Sequence, residues 1–373
     1  MTRRLMARLA AVVAASTLLV AACGSGEESS DDASGTAPDA ADNAATESAD
    51  GSEEDTSAGD NGQAEDGSSE DDQSEDGSSG DGADSADFPR TVTDAIGTVE
   101  IPAPPARVVA LDQSMLDIAF VLGLEVIGYT TFADPDGPIP EIYAEAAAEL
   151  AAEAEWLGDL LSPNLEAIAG ARPDLILTSV VRHETISDQL SQIAPTVMSE
   201  SAGGGWKDAL RLAAEATGRE AVAEQAIADY EARAAALGSS IRDEFDDPTI
   251  SVVRFVDVIR LYQPVSFSGV VLADAGLARP ASQQDTENFI SVISIEEIAD
   301  ADADVIVYAT FDDPRVTETV TEVVAGPLWG QLTAVQAGNV HAVEDSRWMT
   351  AVGLFGANAI LDDLAAIFGV EAG

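Results

Sequence analysis

The chain has 373 residues, with 17 Lys and Arg, 68 Asp and Glu, and a formal net charge of −51. A surface this acidic repels nucleic-acid backbones, so binding to DNA or RNA is excluded as an expected role. The charge is uneven: residues 24–87 hold 22 acids and no Lys or Arg, whereas residues 88–373 carry a net charge of −32. The latter stretch is long enough to bury one large core or two smaller ones.

The chain begins with a short apolar run behind basic residues. Arg3, Arg4 and Arg8 precede an uncharged run of 14 residues, 9–22, and Cys23, the single cysteine of the chain, follows it. A bilayer span takes about 20 apolar residues, so the run is too short to cross a membrane and is typical of a secretory signal. Residues 24–373 therefore offer no disulfide and no cysteine-ligated metal.

The residues around Cys23 resemble the lipobox of bacterial lipoproteins. The sequence Leu-Val-Ala-Ala-Cys is followed by Gly-Ser-Gly. By this resemblance residues 1–22 are a signal peptide, and Cys23 is lipid-modified and becomes the mature N-terminus. The alternative is an ordinary signal peptide in which the cysteine has no role.

Residues 23–87 are expected to form a disordered acidic tether. Apart from Cys23, their only apolar side chains are Ala and Pro38, so they cannot bury enough surface to offset the entropy of ordering. A random coil of this length reaches about 45 Å, and repulsion between its acids extends it. We therefore expect a globular part held outside the cytoplasmic membrane.

Residues 88–204 are predicted to form a first α/β lobe. Strand and helix patterns alternate at 107–112, 114–122, 126–129, 162–171 and 174–178. The second helix pattern opens with Ser162 and Pro163, which suit an N-cap and a first-turn proline. Because strands and helices alternate, we expect a sheet with mostly parallel pairing.

A connecting helix at 205–239 and a second lobe at 240–373 follow. Apolar residues at helical spacing run from 206 to 237, interrupted only by Gly218, which predicts one long helix or two adjoining ones. Strand patterns of the second lobe lie at 250–256, 258–262, 304–309 and 338–344. Its helix patterns lie at 268–277, 295–301 and 353–368.

The two lobes share an internal repeat. Residues 165–179 align without a gap with residues 295–309, and six of the 15 positions are identical. The identical pairs are Glu166/Glu296, Ile168/Ile298, Ala169/Ala299, Ala171/Ala301, Asp174/Asp304 and Ile176/Ile306. A weaker similarity relates 114–124 to 267–277. The repeat indicates either two ordinary α/β units or two lobes of the same design.

Taken in order, these features resemble one family, the substrate-binding lipoproteins of ABC importers, in the rigid-hinge class for iron–siderophores and cobalamin. The resemblance covers residues 88–373, and among subtypes the chain is most similar to ferric-siderophore binders of high-GC Gram-positive bacteria. The matching stretches are 88–93, 101–112, 163–168, 172–177, 192–197, 327–329 and 338–341.

The resemblance implies an α/β fold of two Rossmann-like lobes joined by a long inter-lobe helix, the class III periplasmic-binding-protein arrangement, with a ligand cleft between the lobes. The implied protein is a lipid-anchored receptor on the outer face of the cytoplasmic membrane. It binds a ferric siderophore and delivers it to ABC permease subunits served by a separate ATPase. We expect a monomer without catalytic activity or cofactor, with iron present only inside the bound complex.

In this family, one glutamate on each lobe docks onto arginines of the two permease subunits. These family positions fall on Glu166 and Glu296, the pair that the repeat already aligns. Two carboxylates related by pseudo-symmetry suit a symmetric pair of cationic pockets. The alternative is that a glutamate in a first helical turn only favours the helix dipole.

A ferric complex enclosed by its chelator is bound from outside, by aromatic faces and by Arg or Tyr donors. Trp206, which follows a glycine loop, and Trp348, which precedes the last helix, are interpreted as cleft walls. Arg254 and Arg260 lie where the family usually carries ligand-contacting arginines, and Tyr262 follows them. The alternative is that both arginines lie on the surface of edge strands.

Further ligand candidates are Arg182 and Arg347. Because residues 88–373 contain only 14 Lys and Arg, a cluster for a highly anionic catecholate complex would be built from few residues. This scarcity favours neutral or hydroxamate-type complexes.

Three other functions stay open. A receptor of the same fold for haem or cobalamin is one, and Tyr262 could ligate haem iron. A lipid-anchored α/β enzyme is another, although the chain has no Gly-x-Ser-x-Gly, Walker or Gly-x-Gly-x-x-Gly motif. A metal-ion receptor would lack a His-rich site, because His183 and His341 are the two histidines and are expected to be ordinary core or surface residues.

Overall fold

The computed structural model of the protein describes residues 87–131, 139–201, 203–311 and 313–371. The predicted signal peptide, the predicted lipidation site Cys23 and the tether up to residue 86 lie outside these described residues.

The first lobe is built on a six-stranded sheet behind a hairpin of β1 (Arg90–Thr93) and β2 (Thr98–Ile101). The strands of the sheet are β3 (Val108–Ala110), β4 (Val126–Thr131), β5 (Glu155–Asp159), β6 (Ser162–Pro163), β7 (Leu175–Ser179) and β8 (Thr196–Ser199). Their order is β6-β5-β4-β3-β7-β8, and only the β5–β6 pair is antiparallel. The predicted parallel pairing is therefore confirmed for this sheet.

Helices of the first lobe and of the connection cover the sheet and lead out of it. They are α1 (Gln113–Val121), α2 (Ala144–Leu150), α3 (Leu165–Ala171), α4 (Val180–His183), α5 (Ser187–Ser191), α6 (Trp206–Thr217) and α7 (Glu220–Phe245). Short 3-10 helices lie at Glu141–Tyr143 and Glu184–Ile186.

The second lobe has a five-stranded mixed sheet. Its strands are β9 (Ile250–Phe255), β10 (Ile259–Tyr262), β11 (Ile290–Ile293), β12 (Val305–Thr310) and β13 (Val340–Val343). Their order is β11-β10-β9-β12-β13, in which β10 runs antiparallel to both of its neighbours. This sheet is mixed because β9 and β10 form a tight hairpin, whose two strands are antiparallel by construction.

The remaining helices follow these strands. They are α8 (Phe267–Asp274), α9 (Pro314–Ala325), α10 (Thr333–Ala337) and α11 (Leu354–Phe368). Single 3-10 turns or helices lie at Ala281–Gln283, Ile295–Ala301 and Trp329–Gln331, and one π-helical turn covers Ser346–Thr350.

The predicted connecting helix is two helices. α6 ends at Gly218, whose left-handed φ of 68° a residue with a Cβ adopts only at a cost, and α7 begins two residues later. α7 has 26 residues and is about 39 Å long at 1.5 Å per residue. Its buried residues recur at helical spacing: Ala223, Ile227, Tyr230, Ala234, Leu237 and Ile241.

One predicted helix start is wrong. Ser162 and Pro163 form β6, and α3 begins after Asn164, whose side-chain Oδ1 accepts a hydrogen bond from the amide of Ala167 at 3.1 Å. Pro163 pairs with Gly158 and lies on an edge strand. Because an edge strand has one unpaired side, a proline, which has no N–H, is tolerated there.

The internal repeat is confirmed as a helix–strand unit in each lobe. Ile168 on α3 and Ile298 in the second copy are 0% and 1% exposed. Asp174 accepts hydrogen bonds from the two amides just before β3, and Asp304 accepts from the amide and hydroxyl of Thr249, just before β9. The repeated aspartate therefore ties the start of each unit's strand to the start of the neighbouring central strand.

A shared core and one buried carboxylate join the lobes. The largest apolar cluster includes residues of α1, α6, α7, α8 and α11 together with the inner faces of both sheets. Asp117 on α1 accepts hydrogen bonds from the amides of Leu354 and Phe355, the first residues of α11, at 2.7 and 3.0 Å. Because α1 follows β3 and α11 follows β13, this contact joins the carboxyl sides of the two sheets.

Candidate functional site

The two sheets reverse their strand order at β3/β7 and at β9/β12. In open α/β sheets, ligands bind beyond the carboxyl ends of the strands at such reversal points. An arginine marks each of them: Arg182 lies on α4, which directly follows β7, and Arg254 is the last residue but one of β9. The carboxyl edges at these two points are the candidate site.

Arg254 is held on three sides. Its Nε and Nη2 donate to the two carboxylate oxygens of Asp345 at 2.6 and 2.7 Å, and its Nη1 donates to the hydroxyl of Tyr262 at 3.1 Å. Its guanidinium carbon lies 5.9 Å from the centre of the Phe311 ring, at the distance of a cation–π contact. Phe311 follows β12 and Asp345 follows β13, so several chain segments converge on one cation.

Arg260 lies directly across from Arg254, because β9 and β10 pair these two residues. Opposite residues of antiparallel strands have Cβ atoms about 4.5–5.5 Å apart, so the two arginines share one face of the sheet. Nε of Arg260 is buried without a hydrogen-bond partner, and its Nη2 lies 3.8 Å from the carboxylate of Asp257. The site therefore holds a cation whose donors are only partly used.

Exposed apolar side chains flank the two arginines. Val292 on β11 pairs with Arg260 on the neighbouring strand β10 and is 58% exposed. Phe311, beside Arg254, is 48% exposed. Apolar surface combined with a few convergent polar groups is typical of a small-molecule site.

The first lobe carries a similar pair. Nε of Arg182 donates to Asp112 at 2.9 Å, and the Asp112 side chain is 6% exposed. Asp112 also caps α1, since its Oδ1 accepts from the amide of Ser114 at 2.8 Å. Both lobes therefore place an arginine–aspartate pair at a carboxyl edge.

Both predicted tryptophan cleft walls are wrong. Trp206 is 2% exposed, and its ring meets Tyr230 on α7 edge to face at 5.3 Å. Trp348 is 0% exposed, and its Nε1 donates to Asp363 on α11 at 2.9 Å. Each ring fills space between helices, so both tryptophans belong to the core.

The predicted docking residues are placed as the repeat suggested. Glu166 and Glu296 each lie in the first turn of a helix and are exposed. Neither is the capping residue, because Asn164 caps α3 and Glu297 closes the capping box of the second helix with Ser294. Their contact with a permease stays a prediction.

His183 is a core residue, as expected from the sequence. His183 is 1% exposed; its Nε2 is 2.7 Å from the carbonyl oxygen of Leu160 and its Nδ1 is 2.6 Å from the hydroxyl of Thr178. Burial lowers its pKa, which keeps the ring neutral in the core. Among the residues that the structure describes, no group of three or more His, Cys, Asp or Glu is placed to hold a metal ion.

Within the described ranges no helix is both long and apolar enough to cross a bilayer. Two shallow surface grooves, one beside β8 and one between β13 and α11, are lined by residues other than the paired arginines.

Sequence reasoning missed three residues of the site: Asp112, Phe311 and Asp345. Each follows a parallel strand by one or two positions. Because the carboxyl ends of parallel strands share one edge, the position after a strand was the available signal.

Comparisons with known proteins agree on one family. The profile of the family described as "Periplasmic binding protein" matches residues 108–346. The probable siderophore-binding lipoprotein YfiY of Bacillus subtilis is 37% identical over 292 residues, which cover 75% of this chain and 87% of YfiY. The achromobactin-binding periplasmic protein of Dickeya dadantii is 30% identical, with 72% of this chain and 88% of that protein covered.

A solved structure gives the same result. Staphylococcus aureus SirA, crystallised with staphyloferrin B, is 31% identical and superposes with a TM-score of 0.69, covering 76% of this chain and all of SirA. The two lobes, the connecting helices and the class III architecture are thus shared with siderophore-binding proteins. The chain belongs to the periplasmic binding protein family.

Proposed function

We propose that this protein is an extracytoplasmic receptor that binds a ferric siderophore at the carboxyl edges of its two sheets and delivers it to an ABC importer. The observation that carries the proposal is the cross-strand pair of Arg254 and Arg260 beside exposed Phe311 and Val292. Guanidinium groups grip the oxygens of hydroxamate, catecholate or carboxylate chelators, and the apolar side chains contact the chelator's carbon skeleton.

The relatives support this ligand class. YfiY is named as siderophore-binding, the Dickeya protein as achromobactin-binding, and SirA was crystallised with staphyloferrin B. The function is binding and delivery without catalysis, and no cofactor is needed, because the chelator already encloses the iron.

The receptor is held at the outer face of the cytoplasmic membrane through a lipid on Cys23. Support comes from the lipobox-like sequence and from the lipoprotein name of YfiY. The acidic segment after Cys23 then spaces the receptor from anionic lipid headgroups. We propose that it acts as a monomer, with one glutamate of each lobe facing one permease subunit.

Calorimetric titration of the full chain in detergent tests the ligand class. The probes are ferric enterobactin, ferrichrome, ferrioxamine B, haem and cobalamin. We expect at least one ferric siderophore to bind with micromolar or tighter affinity, and Arg260→Gln to weaken that binding by about tenfold or more, since truncating one partner of a hydrogen-bonded charge pair costs about 2–5 kcal/mol.

Arg211→Gln is the matched control, because Arg211 on α6 is 42% exposed and pairs with Glu224 on α7, outside the candidate site. It should leave the affinity unchanged. Binding of haem or cobalamin alone, or of none of the five probes, would contradict the proposal.

A further inference from the structure

We propose that Asp345 is a specificity-determining residue: it neutralises Arg254, so that Arg260, the more weakly paired guanidinium of the two among the described residues, selects ferric complexes by their charge. This inference rests on the proposed function and deepens it by assigning the ligand's charge class. The ligand would present an anionic oxygen group to the second lobe.

The Arg254–Asp345 pair is strongly coupled. Both carboxylate oxygens accept from the guanidinium in a bidentate arrangement, and the two side chains are only 13% and 14% exposed. Solvent screens a pair this buried much less than a surface pair. Asp345 therefore removes most of the field that Arg254 would otherwise exert on a bound ligand.

Arg260 has no equivalent partner among the described residues. Its closest carboxylate, that of Asp257, is 3.8 Å away and 79% exposed, a geometry that contributes little in water. Nε of Arg260 is buried and makes no hydrogen bond. A buried donor without a partner is costly, and a ligand oxygen placed there would satisfy it.

Two arginines directly opposite each other on neighbouring strands repel. Asp345 relieves this repulsion in the free protein, which explains why the sheet tolerates the pair. The same carboxylate then limits how much negative charge the site accepts. The first lobe repeats the arrangement, since Asp112 neutralises Arg182 at its own carboxyl edge.

The pairing revises an expectation from composition. Few bases favoured neutral or hydroxamate-type complexes, but the number of arginines does not set the charge of the site. The partners of those arginines set it, and among the described residues they leave Arg260 only weakly paired.

Calorimetric titration of the full chain with three ferric siderophores that form a charge series tests the inference. They are anionic ferric enterobactin, uncharged ferrichrome and cationic ferrioxamine B. The wild type should prefer the anionic complex. Asp345→Asn should raise the ratio of anionic to cationic affinity by about tenfold or more, because one unit charge within 10 Å changes the interaction by over 1 kcal/mol at an effective dielectric constant of about 20.

Two further variants complete the design. Arg260→Gln should lower the same ratio. Asp362→Asn is the matched control: it removes the same charge from the second lobe, but Asp362 is 56% exposed and pairs with Arg233 on α7, so the ratio should not move.

Each alternative outcome has a distinct meaning. A wild-type preference for the uncharged or cationic complex overturns the inference. So does an Asp345→Asn variant that weakens all three complexes equally, because that is the result of a purely structural role, or an equal shift in Asp362→Asn. If none of the three complexes binds the wild type, the proposed function itself fails.

Discussion

Asp117 is a buried carboxylate at the contact between the two lobes. It is 1% exposed, and the amides that open α11 donate to it. Burial raises its pKa to about 8, although hydrogen bonds from Leu354, Phe355 and Gly356 favour the ionised form. Gly353 is required beside it, because a Cβ at that position would lie 2.2 Å from Cγ of Asp117 and the backbone φ is +148°.

The raised pKa makes the contribution of Asp117 to stability depend on pH. In the unfolded chain this aspartate ionises near pH 4, whereas in the folded protein it holds its proton up to about pH 8. The folded state therefore binds more protons between these values. The stabilising contribution is fully present below pH 4 and is lost as the pH rises through 8.

We expect Asp117→Asn to flatten this pH dependence. Chemical denaturation of the wild type and the variant at several values between pH 5 and pH 9 measures this dependence. The unfolding free energy of the variant minus that of the wild type should increase as the pH rises. Asp243→Asn, an exposed position on α7, is the control. Equal pH profiles for the wild type and Asp117→Asn would contradict the raised pKa.

At the scale of elements, the aspartate of the helix–strand repeat fixes the start of one central strand of each sheet to the start of its neighbour. Asp304 accepts from the amide of Thr249 at 2.8 Å and from its hydroxyl at 2.6 Å, and these hydrogen bonds hold the pKa of Asp304 below its usual range. A lowered pKa means that the stabilisation is present above the unfolded value, near pH 4, and is lost as the pH falls through the folded value.

Replacing Asp304 by Ala should lower the unfolding free energy by about 1 kcal/mol at pH 7, the usual net worth of a hydrogen bond. Asp174→Ala should do the same in the first lobe, where the carboxylate accepts from Ala106 and Arg107 amides. Urea denaturation measures both. Asp300→Ala, a nearby exposed position, should be neutral, and a loss as large as that of Asp304→Ala would show that the repeat has no special role.

At the scale of the whole molecule, the two exposed glutamates are predicted to be related contact points for a permease. Glu166 and Glu296 occupy equivalent places in the two lobes, and other residues cap their helices. A carboxylate that the fold itself does not need is available for a partner. The pseudo-symmetry of the lobes matches a permease built from two similar subunits.

We expect Glu166→Arg and Glu296→Arg each to abolish cellular uptake of the ferric complex while the purified protein keeps its affinity. The reason is that reversed charges repel the cationic pockets of the permease and leave the carboxyl-edge site untouched. Uptake of the iron complex and calorimetric affinity are the two measurements. Glu318→Arg, on the exposed side of α9, should leave both unchanged. Loss of affinity in either docking variant would instead place that glutamate in the ligand site.

Much of the fold follows from the sequence alone, because buried apolar side chains recur along the chain at a spacing that differs between helices and strands. The alternation of patterns located β3, β4, β9, β10 and α11 to within two residues, and the repeat paired the two lobes. The start of α3 was mistaken because Ser162 and Pro163 suit a helix N-terminus as well as an edge strand. That choice depends on β5, which no local pattern reveals.

The sequence by itself determined the α/β class, the two related lobes and the repeated aspartate, and it predicted the arginines of the candidate site. Only the tertiary structure decided what those arginines face. Asp345 is 91 residues from Arg254, and Asp112 is 70 residues from Arg182. It also decided that Trp206 and Trp348 are core residues. Secondary structure and burial are encoded by spacing along the chain, whereas the charge of a site is the sum over partners that only folding brings together.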